Sequence, residues 1–287
     1  TTICSNGTAT VSGATATNGT ILWTTSNGGG TISNATTLTP TYSAAGGDAG
    51  KTVTLTMTVT GTATCSIEIA TATYSIKVNE PINISTQPNP SQAVCLTFPV
   101  SFSVAATGTT PTYQWKLNGN PISGATSSTY SISQAKAADA GTYTVDVIGA
   151  GGCATVTSDD AKLIVNQTIT FNSQPSAVSL CQGGDATFTV SASGTITEYQ
   201  WRKNNIPLSD GGNISGSTTT SLTITGATGT DAGSYDVVIS GPAGQCSQAI
   251  SNPATLTLNT PTTIGTQPTG ATYCQNGSAT ALTVAAT

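Results

Sequence analysis

Seven cysteines, Cys4, Cys65, Cys95, Cys153, Cys181, Cys246 and Cys274, are the residues of this 287-residue chain best suited to chemistry. Oxidised in pairs they make cross-links; gathered with imidazoles they hold zinc. The second use fits poorly. The chain contains no histidine, it has no Cys-x-x-Cys, and its spacing does not gather the four sulfurs a zinc site would then need. Lack of histidine also removes the commonest general base, so neither a Ser-His-Asp nor a Cys-His arrangement can form within the chain. The cysteines point to disulfides in an oxidising, extracellular compartment. No enzyme activity, cofactor or metal is expected.

The remaining candidates are weaker. Asp139 and Asp231 each precede Ala-Gly, where a carboxylate caps a turn. Asp159-Asp160, the adjacent acidic pair, lacks calcium-loop spacing and reads as a solvated loop. Gly28-Gly29-Gly30 and Gly149-Ala150-Gly151-Gly152 read as hairpin loops, because no Gly-Lys-Ser/Thr follows to hold a phosphate. With 7 Lys+Arg against 12 Asp+Glu, the chain has no clustered cations to neutralise nucleic-acid phosphates. Nor has it an apolar run of the 18 or so residues that a membrane span requires.

The elements that position these residues have a period of two. Val100-Ser101-Phe102-Ser103-Val104, Ala186-Thr187-Phe188-Thr189-Val190, Thr142-Tyr143-Thr144-Val145 and Leu55-Thr56-Met57-Thr58-Val59 alternate apolar with polar residues, as half-buried strands do. Threonine, roughly a fifth of the chain against a much lower average usage, favours strands while keeping their outer faces wet. The expected class is all-β.

A unit recurs about every 90 residues, the size of one small β-domain. One copy runs Cys95, Tyr113-Gln114-Trp115-Lys116, Asp139-Ala140-Gly141-Thr142-Tyr143, Cys153; the next runs Cys181, Tyr199-Gln200-Trp201-Arg202, Asp231-Ala232-Gly233-Ser234-Tyr235, Cys246. A more distant copy has Cys4, Trp23, Asp48-Ala49-Gly50 and Cys65, and a fourth begins near Cys274. Gln-Pro recurs at Gln87-Pro88, Gln174-Pro175 and Gln267-Pro268, after each closing strand. The expected domains are residues 1–80, 81–167 and 168–260, with 261–287 the first strands of another. The short connections, without a Gly/Ser-rich spacer, favour an elongated semi-rigid rod.

Trp115 with Tyr143, and Trp201 with Tyr235, carry a resemblance to bacterial immunoglobulin-like domains. It covers about residues 80 to 260. It implies that each Trp fills a sandwich core and that each Tyr, after its Asp-x-Gly corner, hydrogen-bonds back to nearby backbone. The first unit keeps Trp23 but has Thr52 where that Tyr would stand, and it resembles the related PKD-like or variant immunoglobulin-like repeats. Thr-rich repeats with paired cysteines resemble those of very large Bacteroidetes surface proteins, nearest to gliding-motility adhesins exported by the type IX secretion system.

The resemblance also bears on the cysteines. The positions of the usual core disulfide read as Val104 and Val145, and as Val190 and Val237. In such a sandwich, the cysteine before the second strand lies at the C-terminal pole and the one in the last hairpin lies at the N-terminal pole. A strand of six or seven residues separates the poles by about 20 Å, whereas a disulfide needs Cα atoms within roughly 7 Å. Interdomain pairs Cys4–Cys153 and Cys95–Cys246 are therefore preferred over the intradomain alternative Cys4–Cys65, Cys95–Cys153 and Cys181–Cys246. The implied function is a structural stalk of a cell-surface adhesin, for gliding motility or attachment, with disulfide-reinforced junctions. Its partners would be neighbouring repeats, the secretion and motility machinery, and surface ligands. The alternatives are a glycan- or protein-binding module and an accessory array of a secreted enzyme.

Overall fold

The computed structural model describes all residues except 63–67, 243–245, 247, 261, 269, 271, 279, 280, 282 and 287. The chain is all-β, with short 3-10 turns as its helical elements among the described residues. Alternation is what builds it. In the strand Thr52–Gly61, Val53, Leu55 and Met57 are buried while the threonines between them face outward.

The first sandwich has a four-stranded sheet in the order Thr2–Cys4, Ile69–Asn79, Thr52–Gly61, Gly19–Ser26, against a three-stranded sheet of Thr8–Thr10, Thr41–Ser43 and Thr31–Ser33. Its opening strand runs parallel to its closing one, with Thr2 opposite Lys77, Ile3 opposite Val78 and Cys4 opposite Asn79. Trp23, Tyr42, Leu55, Ile76 and Val78 fill the core.

The second sandwich orders Asn120–Pro121, Thr112–Leu117, Gly141–Ile148, Ala161–Asn166 and Ser91–Cys95, with Val156–Thr157 also on Gly141–Ile148. The pairs Val100–Ser103 with Thr129–Ile132, and Ala105–Thr107 with Asn83–Thr86, lie apart from that sheet. The third sandwich repeats the plan with Ile206–Pro207, Glu198–Lys203, Gly233–Ser240, Ala254–Asn259 and Val178–Cys181. By contact the chain divides into Thr1–Val165, which holds the first two cores, and Asn166–Thr287.

Each core is organised around one tryptophan whose indole N–H is satisfied by a backbone carbonyl. Trp23 donates to Thr37 (2.9 Å), Trp115 to Ser127 (2.9 Å) and Trp201 to Thr219 (2.8 Å). Val104 and Val145 pack with Trp115, and Val190 and Val237 with Trp201, so apolar contacts occupy the place of a core disulfide. Tyr143 and Tyr235 donate their hydroxyls to the carbonyls of Asp139 (2.7 Å) and Asp231 (2.6 Å). Burial, with the nearby Asp231 charge adding to it, pushes the Tyr235 phenol up to about 12, which keeps it a donor at ordinary pH. Asp139 and Asp231 also accept the backbone N–H groups of Lys136 (2.7 Å) and Thr228 (2.8 Å), closing their 3-10 turns.

The Gln of the first two Gln-Pro pairs has a role that its sequence position did not disclose. Gln87 accepts the Asp159 N–H at 3.0 Å, and Gln174 accepts the Asn252 N–H at 2.9 Å, pinning the first strand beside the approach to the closing one. Asp159 belongs to that contact. Among the described residues no group of three or more acidic or cysteine side chains is gathered for a metal.

The first sandwich departs where Thr52 replaces tyrosine. Its anchor comes instead from the opposite sheet: Tyr42 donates its hydroxyl to the Asp48 carboxylate at 2.6 Å. Asp48 is fully buried, and it also accepts the backbone N–H groups of Gly29 (2.6 Å) and Ala45 (2.8 Å). Gly30 N–H reaches the Tyr42 oxygen at 3.1 Å. The Gly28–Gly30 run is therefore not the hairpin expected from its composition. It joins Gly19–Ser26 to Thr31–Ser33, strands of different sheets, and a Cβ at Gly28 or Gly30 would collide with the Tyr42 hydroxyl.

Candidate functional site

Each sandwich ends its first sheet strand in a cysteine, and the cysteine opens the same tight turn. The carbonyls of Cys4, Cys95, Cys181 and Cys274 accept the N–H of the third residue on, at 2.9, 3.1, 3.1 and 2.9 Å. The intervening residues Asn6, Thr97, Gly183 and Asn276 all have positive φ, at 63°, 71°, 91° and 79°. Asparagine and glycine tolerate this region best, so the turn is written locally at Asn6, Gly183 and Asn276, whereas the β-branched Thr97 takes it against its own preference. Cys4 stands opposite Asn79 and Cys181 opposite Asn259 in the same parallel register. The next N–H in each case, Ser5 or Gln182, bonds that asparagine's carbonyl at 3.1 Å.

Cys4 and Cys153 form a disulfide with a Cα–Cα distance of 4.9 Å across a sequence separation of 149. Cys4 ends the opening strand of the first sandwich, and Cys153 lies in the loop between Gly141–Ile148 and Val156–Thr157 of the second. The link therefore spans a junction between consecutive repeats.

Backbone and side-chain groups surround it. Asn79 is 2% exposed, and its amide donates to the Ala150 carbonyl at 3.0 Å. Cys153 Sγ lies 3.5 Å from the Glu80 carbonyl oxygen. Glu80 and Thr109 then clamp the connection. The Glu80 N–H donates to Thr109 Oγ1 at 2.8 Å, and the Thr109 N–H donates to the Glu80 carbonyl at 3.3 Å. Gln167 and Thr195 repeat this clamp at 2.8 and 3.1 Å.

The glycine-rich loop is shaped for this apposition. A Cβ at Gly149 would stand 2.6 Å from Cys153 Cβ, and one at Gly151 (φ +60°) would press on Asn79 Nδ2 and on Thr2 Cγ2. Gly152, with φ +83°, has open space around it. Gly151→Ala and Gly152→Ala both incur the left-handed backbone penalty of about 1 kcal/mol. Gly151→Ala is expected to lose roughly 1–2 kcal/mol more through its contacts with the first sandwich. Paired urea titrations check this; equal midpoints for the two variants would oppose the reading of Gly151 as a junction residue.

The other cysteines divide cleanly. Cys95 and Cys246 are both in disulfides, whereas Cys181 and Cys274 are exposed free thiols. This corrects the intradomain alternative at every pair. Cys4–Cys65 and Cys95–Cys153 fail because Cys4 and Cys153 bond each other, and Cys181–Cys246 fails because Cys181 is a free thiol. The physical reason is the separation of a sandwich's two poles by the length of its strands. Cys65 lies outside the described residues. Asn79 and the Glu80–Thr109 clamp were not anticipated from sequence. The recurrence of Asn after each closing strand, at Asn79, Asn166 and Asn259, was the available signal.

Comparison with known proteins agrees with this architecture. Residues 169–251 match the family described as immunoglobulin I-set domain. No curated protein matches the chain. Among solved structures, an I-band fragment of titin is similar at 19% identity and a TM-score of 0.66, covering 90% of this chain and 95% of its own. Immunoglobulin domains 1–4 of Sidekick-1 match at 16% identity and a TM-score of 0.55, covering 90% and 73%. Extracellular domains 3–5 of Drosophila OTK match at 18% and 0.51, covering 90% and 94%. At these identities the likeness concerns the fold, which is that of tandem immunoglobulin-like domains. No helix among the described residues is long and apolar enough to cross a membrane.

Proposed function

We propose that the chain is a stalk segment of a bacterial cell-surface adhesin, a row of immunoglobulin-like domains whose junctions are closed by disulfides. The observation that carries this reading is the Cys4–Cys153 link, which joins consecutive repeats rather than the two sheets of one. A cross-link there adds nothing to a catalytic or binding surface and holds neighbours end to end. The glycine-rich loop of the second sandwich, a natural place for ligand contacts, is occupied by Asn79 and Cys153, which weighs against the binding-module alternative.

The same plan assigns Cys95 and Cys246 to each other. Cys95 opens the turn that Cys4 opens, both it and Cys246 are oxidised, and the equivalent loop position in the preceding repeat is Cys153. Peptide mapping without reduction is expected to recover Cys95 joined to Cys246; Cys95 on any other peptide would overturn the assignment. Extracellular location, export by a type IX secretion system and a role in gliding motility are part of the proposal. They rest on the threonine-rich, cysteine-marked repeat. Imaging of the native protein on its cell decides that larger reading: a long surface fibre supports it, and a compact secreted particle opposes it.

A further inference from the structure

We infer that the Cys4–Cys153 link is a bypass for tension, so that a pull along the chain crosses from the first repeat to the second through sulfur and leaves the residues between unloaded. The strand that would otherwise take the load is the opening one of the first sandwich. Thr2–Cys4 is held to Ile69–Asn79 by only three parallel register pairs, and a pull at Thr1 opposed at the exit of Ile69–Asn79 would load those few pairs in shear. The disulfide sits on the last residue of this strand. Detachment of the strand can reach Cys4 and no further, because the next bond in line is covalent and leads to Cys153.

From Cys153 the load continues into Val156–Thr157 and Ala161–Asn166. Ala161–Asn166 is held by Gly141–Ile148, with Tyr143 opposite Ala161 and Gly141 opposite Leu163, and it also adjoins Ser91–Cys95. Everything from Ser5 to Gly152 lies inside a closed covalent loop. That loop contains the Trp23 core except for Ile3, with its Tyr42–Asp48 anchor, and the Trp115 strand of the second sandwich. The link therefore limits extensibility as well as joining neighbours. This deepens the stalk reading by giving its load a path, although the bypass itself needs only the one disulfide.

Single-molecule pulling of the full chain between its two ends tests it. The chain carries Cys65→Ala, Cys95→Ala and Cys246→Ala, with the exposed thiols of Cys181 and Cys274 alkylated, so that the Cys4–Cys153 contribution is isolated. It is compared with the same chain carrying Cys4→Ala and Cys153→Ala as well. The separation of 149 residues, at ~3.3–3.6 Å per extended residue, predicts that the linked chain is shorter at full extension by roughly 500 Å. It should also lack the unfolding step of the first sandwich. Full extension is read on unfolded chain, so the comparison holds even if the unlinked variant folds poorly, and reduction of the linked chain by dithiothreitol should restore the missing length. Equal lengths, or a shortfall well below this value, would overturn the bypass while leaving the imaging test of the stalk reading untouched. A compact particle in that imaging, with the shortfall present, would overturn only the stalk reading.

Discussion

Replacing Cys4 and Cys153 together with alanine is expected to lower the stability of the first two sandwiches by about 2–5 kcal/mol. The sulfurs close a loop across 149 positions, and the chain-entropy model assigns such a loop about 5 kcal/mol through restriction of the unfolded chain, with typical measured values of 2–4. The native state loses little packing in exchange. Cys153 is small and buried, and alanine fits its place. The folded consequence should be local: with its anchor gone, the three-residue strand Thr2–Cys4 depends on its pairing with Ile69–Asn79 and on Ile3 in the core. Urea unfolding followed by tryptophan fluorescence measures the change. A midpoint that does not move would mean that the junction is already held by Asn79 and the Glu80–Thr109 clamp, and that the disulfide is dispensable.

Asp48→Ala is the second large effect, expected at roughly 3 kcal/mol because it leaves the buried Tyr42 hydroxyl without its acceptor and takes the partner from two further backbone N–H groups. Asp48 takes hydrogen bonds from the Tyr42 hydroxyl and from the N–H groups of Gly29 and Ala45. Burial alone would raise its pKa. The Tyr42 hydrogen bond, the two backbone donors and the Lys51 charge outweigh burial and hold the carboxyl below its ordinary value. A depressed folded pKa contributes stability that is present above the unfolded value of about 4 and is lost as pH falls through the folded one. The parent should therefore lose stability progressively below about pH 4, and the Asp48→Ala chain should show a shallower loss over that window. Some slope remains in the variant, since Asp231 is also held low against its burial by Thr228, Asn213 and Lys203. Acid titrations of unfolding free energy for both chains check this, and identical slopes would remove Asp48 as the acid-sensitive group.

These two effects differ in how visible their causes are in the sequence. The Tyr anchors of the second and third sandwiches were legible because each hydroxyl meets a partner only a few residues away. Tyr143 bonds the carbonyl four residues before it, and Tyr235 does the same. The first sandwich showed only the gap, at Thr52. Its replacement, Tyr42 on Asp48, brings a strand of one sheet onto the corner before the other, and Gly28–Gly30 is packed against that meeting point. Read one residue at a time, the glycines suggest a flexible hairpin. Read in place, they permit a close approach.

The cysteine-marked repeat by itself determined the strand period, the all-β class, the tryptophan cores and the valines in place of a core disulfide, because alternation and corner turns are local properties of a chain. It also set the turns that Cys4, Cys181 and Cys274 open, through Asn6, Gly183 and Asn276, which take positive φ readily. The partner of Cys4 was a different kind of question. A strand's length keeps the two poles of one sandwich too far apart for a disulfide, whereas the Asn79 amide and the Glu80–Thr109 clamp bring the end of the first repeat onto the loop of the second. The pole-to-pole argument made Cys153 the preferred partner of Cys4, and the tertiary structure decided between it and the intradomain alternative, because the apposition depends on how one folded repeat seats on the next.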